Sequence, residues 1–224
     1  MSDMKRVCFL GASVMEGMGD EARLGMPGRL ALLEAETKQS FIHYNLGVRG
    51  QTLREISERA AAECRARFTD AKDFIVFATG SNDFALIESS TPPKSMPRTP
   101  MPRTPRHRAM KNFEALMNEL AEIAPLLVFG PTPVDESKLP FFSTVSNMNF
   151  DFKNEDLANG SMEYAEICQG LNIPYINMHQ ALSGNDDFMA GLAENDGLHS
   201  TGKGYQAMAE IVQSSPHWQG LIQA

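Results

Sequence analysis

The chain has 224 residues, 42% of them hydrophobic and 21% charged, with 20 Lys and Arg against 28 Asp and Glu for a net charge of −8. That length builds one sizeable core and that composition is a globular protein's, so one domain over residues 1–224 is expected. The acidic balance argues against nucleic acid or an anionic membrane surface as the main partner, because both would repel it, and leaves small-molecule ligands open.

The first strand candidate is the apolar run "RVCFL" at 6–10. Lys5 and Arg6 ahead of it imitate a secretory signal, but the run is short and gives way to Glu16, Asp20 and Glu21 without a small-x-small cleavage site. A buried strand and a cytoplasmic chain are the reading, and no run approaches the roughly 18 apolar residues of a membrane span. Directly behind it lies "GASVMEG" at 11–17, a serine among small residues.

The second run, "FIHYNL" at 41–46, leads into "NLGVRGQT", which puts Gly47 and Gly50 in a turn. Thr52 followed by Glu55 then makes a capping box, with Leu53, Ile56 and Ala60 on one helical face. The third run, "DFIVFA" at 73–78, precedes "ATGSNDF", so Asn82 stands at a strand end.

Next comes a proline- and arginine-rich insertion at about 89–108, containing the pentapeptide "MPRTP" twice, at 96–100 and 101–105. Proline at that density excludes helix and central strand, so the segment reads as a loop: a solvated surface insertion, or a basic lid beside a site. Met110, Phe113, Met117, Leu120 and Ile123 then fall at helical spacing before the fourth run, "LLVFG" at 126–130. In the loop 131–152, Phe141, Phe142, Phe150 and Phe152 either line an apolar pocket or pack the loop onto the body. A helical segment at 156–170, a fifth run "IPYINM" at 173–178, "NDGLHSTGKGY" with Asp196 and His199, and a last helix at 204–213 complete the chain. Cys8, Cys64 and Cys168 lie far apart with no CxxC pair, which reads as reduced packing thiols.

Strands alternating with helices require crossover connections, hence a mainly parallel sheet covered by helices on both faces, a three-layer α/β/α sandwich. Ligands bind such sheets beyond the carboxyl ends of the strands, which is where three of the four polar clusters fall, the fourth standing ahead of the last helix. Singly, each has an ordinary use as helix cap, turn or surface group. Together they hold what acyl transfer needs. Ser13 is a poor nucleophile until an imidazole such as His199 accepts its proton, and a carboxylate such as Asp196 sets the tautomer and supports the charge. The Ser13 and Gly50 backbone N–H groups and the Asn82 amide could converge on an oxyanion.

Two nucleotide-binding look-alikes fail on context. "GMGDEA" at 17–22 lies well beyond its strand, and "GLHSTGKG" at 197–204 has Gly204 where a phosphate loop needs Ser or Thr, with no strand before it. An α/β-hydrolase shares the order Ser, Asp, His, but Met15 occupies the second glycine's place of its GxSxG elbow.

The blocks "FLGASVMEG", "NLGVRGQT", "TGSND" and "DGLHSTGKGY", in this order from residue 6 to about 205, resemble those of the SGNH, or GDSL-type, esterases and lipases. The resemblance implies a flavodoxin-like fold with a five-stranded sheet, and hydrolysis of a small-molecule ester or thioester without metal or other cofactor. It also implies Ser13 as nucleophile, Asp196 and His199 as the rest of a triad, and Gly50 and Asn82 as oxyanion donors. Ala12 departs from the family, which usually has aspartate there, and leaves open a non-catalytic or weakly active acyl-ligand-binding relative; an acyltransferase with the same triad is a third reading. Oligomeric state is not legible.

Overall fold

The computed structural model describes residues 4–87, 100–144 and 146–224. Along the chain come β1 (Arg6–Gly11), α1 (Ser13–Glu16), α2 (Gly25–Glu36), β2 (Ile42–Gly47), α3 (Leu53–Ser57), α4 (Ala60–Arg65) and β3 (Phe74–Ala78). Then follow β4 (Leu86–Ile87), β5 (Met101–Pro102), α5 (Arg106–Ala121), β6 (Leu126–Phe129), β7 (Phe141–Ser143), β8 (Met148–Phe150) and α6 (Asn154–Gly170). The carboxyl-terminal part contains β9 (Tyr175–Ile176), α7 (Met178–Leu182), α8 (Asp186–Glu194), α9 (Gly202–Ser214) and α10 (Pro216–Gln223).

The expected parallel sheet is present among the described residues, with five strands in the order β2-β1-β3-β6-β9. This is the flavodoxin-like arrangement, in which the second central strand lies outside the first. β3 and β6 are buried along their whole length and β1 at all but its first residue, because helices cover both faces of an interior parallel strand. Edge strand β2 alternates half-buried with exposed positions.

The period-two alternation of β1 divides the core. Cys8 and Leu10 join one cluster with Ile75, Phe77, Phe113 and Tyr164, on the face of α3 to α6. Val7 and Phe9 join the other with Val76, Met208 and Trp218, on the face of α2, α9 and α10. The Trp218 indole N–H donates to Glu34 Oε1 at 2.7 Å, which satisfies the one polar atom of the largest side chain in that cluster. All three cysteines are free and buried, and burial pushes the Cys168 thiol up to about 12.

Two regions differ from the sequence expectation. Helix α5 begins at Arg106, inside the stretch read as loop: Pro105 at its N-cap needs no N–H donor, and its carbonyl accepts from Ala109 at 3.0 Å. The second MPRTP copy supplies β5, paired antiparallel with β4 as Leu86↔Pro102 and Ile87↔Met101, while residues 88–99, with most of the first copy, lie outside the described residues. The loop 131–152 contains the β7–β8 hairpin, which joins β4 through reciprocal hydrogen bonds between Leu86 and Asp151 at 2.8 and 3.0 Å. These short strands form a ribbon inserted after the carboxyl ends of β3 and β6.

Candidate active site

In the order β2-β1-β3, the crossovers leaving β1 and β3 depart to opposite sides, so a crevice opens beyond their carboxyl ends. Ser13 follows β1 and Asn82 follows β3, and both line the same small cavity with Ala12, Gly80, Thr132 and Leu198.

Ser13 is the first helical residue of α1, two positions past the end of β1. The Glu16 N–H donates to Ala12 O at 2.9 Å, and Gly17 closes α1 after one turn. Asn45 ties α1 to β2 by donating to Met15 O at 2.9 Å. Gly47 permits this approach, since a Cβ there would lie 2.2 Å from Glu16 N.

Asp196 and His199 lie in the turn between α8 and α9, with α10 still to follow. The Asp196 carboxylate accepts the Leu198 and His199 backbone N–H groups on Oδ1 at 2.9 and 2.8 Å, which folds the segment into a tight turn. Its Oδ2 lies 2.7 Å from His199 Nδ1, and His199 Nε2 lies 2.9 Å from Ser13 Oγ, a contact spanning 186 positions of sequence. With Nδ1–H donating to the carboxylate, Nε2 is the acceptor that faces the Ser13 hydroxyl. Burial acts to raise the Asp196 carboxyl, but the hydrogen bonds and charge of His199 outweigh it and hold the group below its ordinary value. His199 is 2% exposed, and the Phe141 ring stands edge-on to it at 5.9 Å between centroids.

Asn82 sits in the 3-10 turn Ser81–Asp83, half-buried. One amide hydrogen goes to Gln51 O at 2.9 Å, and the second makes no hydrogen bond among the described residues. Gly50 is exposed and does not line the cavity that Ser13 and Asn82 share. Its φ of +78° suits glycine, and its N–H makes no hydrogen bond among the described residues. The expected capping box follows, with the Thr52 N–H donating to Glu55 Oε2 at 2.8 Å. The helix it starts breaks after Ser57 and resumes at Ala60, yet Leu53, Ile56 and Ala60 are all buried.

Three features were not read from the sequence, and a fourth was left between two readings. Glu16 receives Arg49 Nε at 3.0 Å and the Arg49 backbone N–H at 3.2 Å; these hydrogen bonds hold its carboxyl below the ordinary value. Arg103, from the second MPRTP copy, donates to Gly50 O at 2.7 Å. The four loop phenylalanines divide: Phe152 is buried, Phe141 faces His199, Phe150 lies under the Arg103 guanidinium at 5.8 Å, and Phe142 is exposed. The Thr132 hydroxyl is buried without a hydrogen-bond partner among the described residues. The arginine in a conspicuous repeat and the phenylalanines clustered in the loop were the sequence signals for these.

The chain matches the family model described as "GDSL-like Lipase/Acylhydrolase family" over residues 9–207. No curated protein matches it. Among solved structures it is similar to the lipase/acylhydrolase from Enterococcus faecalis, at 19% identity and a TM-score of 0.69, covering 93% of each chain. It is also similar to the M. smegmatis aryl esterase, at 15% identity and a TM-score of 0.64 over 94% of this chain and 99% of that one. A family 3 carbohydrate esterase from Clostridium thermocellum aligns at 13% identity and a TM-score of 0.69, over 99% and 98% of the two chains. At these identities the likeness is one of fold.

Proposed function

The chain belongs to the GDSL-like lipase/acylhydrolase family, and on that premise we propose that it hydrolyses carboxylic esters or thioesters through a Ser13-His199-Asp196 triad and an acyl-enzyme. The observation that carries this reading is the unbroken hydrogen-bonded chain from Asp196 Oδ2 through the His199 ring to Ser13 Oγ, at 2.7 and 2.9 Å.

In this mechanism His199 Nε2 takes the Ser13 proton as Oγ attacks the acyl carbonyl, and Asp196 supports the imidazolium. The developing oxyanion is received by the Ser13 N–H, the free Gly50 N–H and the second Asn82 amide hydrogen. His199 passes its proton to the leaving alcohol or thiol, the tetrahedral adduct collapses to the Ser13 ester, and water attacks with His199 again as base. An acyl acceptor other than water would use the same groups. Residues 1–224 are read as one domain that works on small-molecule esters. Among the described residues no helix is long and apolar enough to cross a membrane.

A fluorophosphonate probe that phosphonylates activated serines tests the assignment. Labelling of the wild type at Ser13 alone, lost in Ser13→Ala and His199→Ala, is expected. Labelling retained in Ser13→Ala would falsify it.

A further inference from the structure

We infer that Arg103, in the second MPRTP copy, is a positioning residue that anchors the Gly50 carbonyl and with it the turn that presents the Gly50 N–H to the oxyanion. The inference rests on the reading of Ser13 as nucleophile and Gly50 as donor given above.

Gly50 has little else to hold it. A Cβ at that position would meet nothing within 4 Å, so no neighbouring group packs against this residue, and glycine itself imposes the fewest backbone limits. Hydrogen bonds to its flanks and to its own carbonyl do the restraining. Glu16 accepts from the Arg49 N–H at 3.2 Å, Asn82 donates to Gln51 O at 2.9 Å, and Arg103 Nη1 donates to Gly50 O at 2.7 Å. The last is charge-assisted and anchors the Gly50–Gln51 peptide, the unit directly after the one that carries the Gly50 N–H, so it holds the glycine from its carbonyl side.

Arg103 is in turn fixed from three directions. Its backbone N–H donates to Ala85 O at 2.7 Å, its Nη2 lies 3.3 Å from Glu55 Oε2, and its guanidinium stacks over Phe150. The Glu55 oxygen is the one that closes the capping box of α3, so Arg103 ties the Gly50 turn to that helix start. The next residue reaches the other donor's neighbourhood: the Thr104 N–H donates to Asp83 O at 3.1 Å, directly after Asn82. One dipeptide of the inserted segment thus holds both sides of the oxyanion pocket, which is a different task from that of a lid over the substrate.

The two tasks separate kinetically. A lid contacts substrate and moves KM or acyl preference, whereas a residue that orients an oxyanion donor acts on the transition state and lowers kcat equally for every acyl group. The test measures kcat and KM of the full chain with p-nitrophenyl acetate and butyrate for wild type, Arg103→Ala, Arg103→Lys and Met101→Ala, with Ser13→Ala as the control for the underlying mechanism. Arg103→Ala is expected to lose about tenfold in kcat on both esters, with KM within about twofold. Arg103→Lys, whose ammonium still reaches a carbonyl, recovers part of the loss, and Met101→Ala, exposed on the same copy, matches wild type. Should Arg103→Ala fail to fold, Arg103→Gln, which keeps a neutral donor, is expected to show a kcat loss on both esters with KM unchanged. The proposal falls if kcat of the folded Ala or Gln variant stays within twofold of wild type, if the loss lies in KM or in one ester only, or if Lys recovers nothing. An inactive Ser13→Ala beside unaffected Arg103 variants overturns this inference alone, while an active Ser13→Ala overturns the mechanism beneath it.

Discussion

Asp196 engages His199 twice: one carboxylate oxygen accepts the His199 backbone N–H at 2.8 Å, and the other meets the ring Nδ1 at 2.7 Å. The same side chain therefore shapes the turn that presents the imidazole and selects its tautomer.

Asp196→Asn is expected to separate those two tasks. An amide oxygen can still accept from the backbone, but an amide N–H facing Nδ1 favours the tautomer with its proton on Nε2, which cannot accept from Ser13. Activity on p-nitrophenyl acetate should drop by about 10³-fold or more while the thermal midpoint changes little. A variant that keeps more than a tenth of wild-type kcat would count against Asp196.

Asn82→Ala removes the proposed oxyanion amide and should lower kcat by about 10² to 10³ with KM little changed. Because Asn82 also holds Gln51 O at 2.9 Å, a second readout is useful. The rate of fluorophosphonate labelling should fall together with kcat, and a KM effect alone would assign the residue to substrate binding instead.

Gly47 and Gly50 should respond unequally to alanine. At Gly47 the new Cβ would lie 2.2 Å from Glu16 N, so α1 and Ser13 must shift. Chemical denaturation should show roughly 2 kcal/mol or more of lost stability together with lost activity. At Gly50 there is open space and only the φ of +78° to strain, so the stability loss should stay near 1 to 2 kcal/mol. Equal losses at the two positions would contradict this packing.

Asp20 sets an acid limit on stability. Burial acts to raise its carboxyl, but Arg29, with Nη2 at 2.7 Å, and the Ala22 and Gly25 N–H groups outweigh it and leave the group below its ordinary value. The folded state therefore binds this proton more weakly than the unfolded chain. The stabilisation is complete above the ordinary carboxylate range and is lost as pH falls through the lower folded value. Asp20→Asn should be about 3 to 5 kcal/mol less stable at neutral pH, because it leaves Arg29 unpaired. In urea titrations its deficit should narrow towards pH 2.5; a deficit constant with pH would rule out the linkage.

Thr132→Val replaces a buried hydroxyl without a hydrogen-bond partner among the described residues by a methyl of similar size. The expected result is a gain of about 1 kcal/mol in the unfolding free energy. A loss of that size would instead mean that the hydroxyl is satisfied by bound solvent.

The central strands were legible because interior parallel strands must be apolar along their whole length: "RVCFL" and "DFIVFA" each lie within a residue of the observed β1 and β3. Helix α2 was hidden by Gly25, Pro27 and Gly28 in its first turn, where proline is tolerated although it usually marks a break. Helix α10 likewise opens on Pro216. The two-residue strands β4 and β5 carry no periodic signal, and they form because Leu86 and Ile87 find partners across the insertion.

The sequence by itself determined the order of layers and the local chemistry: a serine at the first strand's end, an asparagine at the third's, and an Asp196–His199 turn closed by its own side chain. These follow from short-range rules of burial, capping and turn formation, which act over a few residues. What only the tertiary structure decided is which of these groups meet. Ser13 and His199 touch across 186 positions because the strand order puts the carboxyl end of β1 at the crevice and α8 and α9 pack on its flank. Arg103 reaches Gly50 across 53 positions because the inserted ribbon folds back over α3. No local pattern encodes either distance, since each is the sum of packing choices made by the elements between.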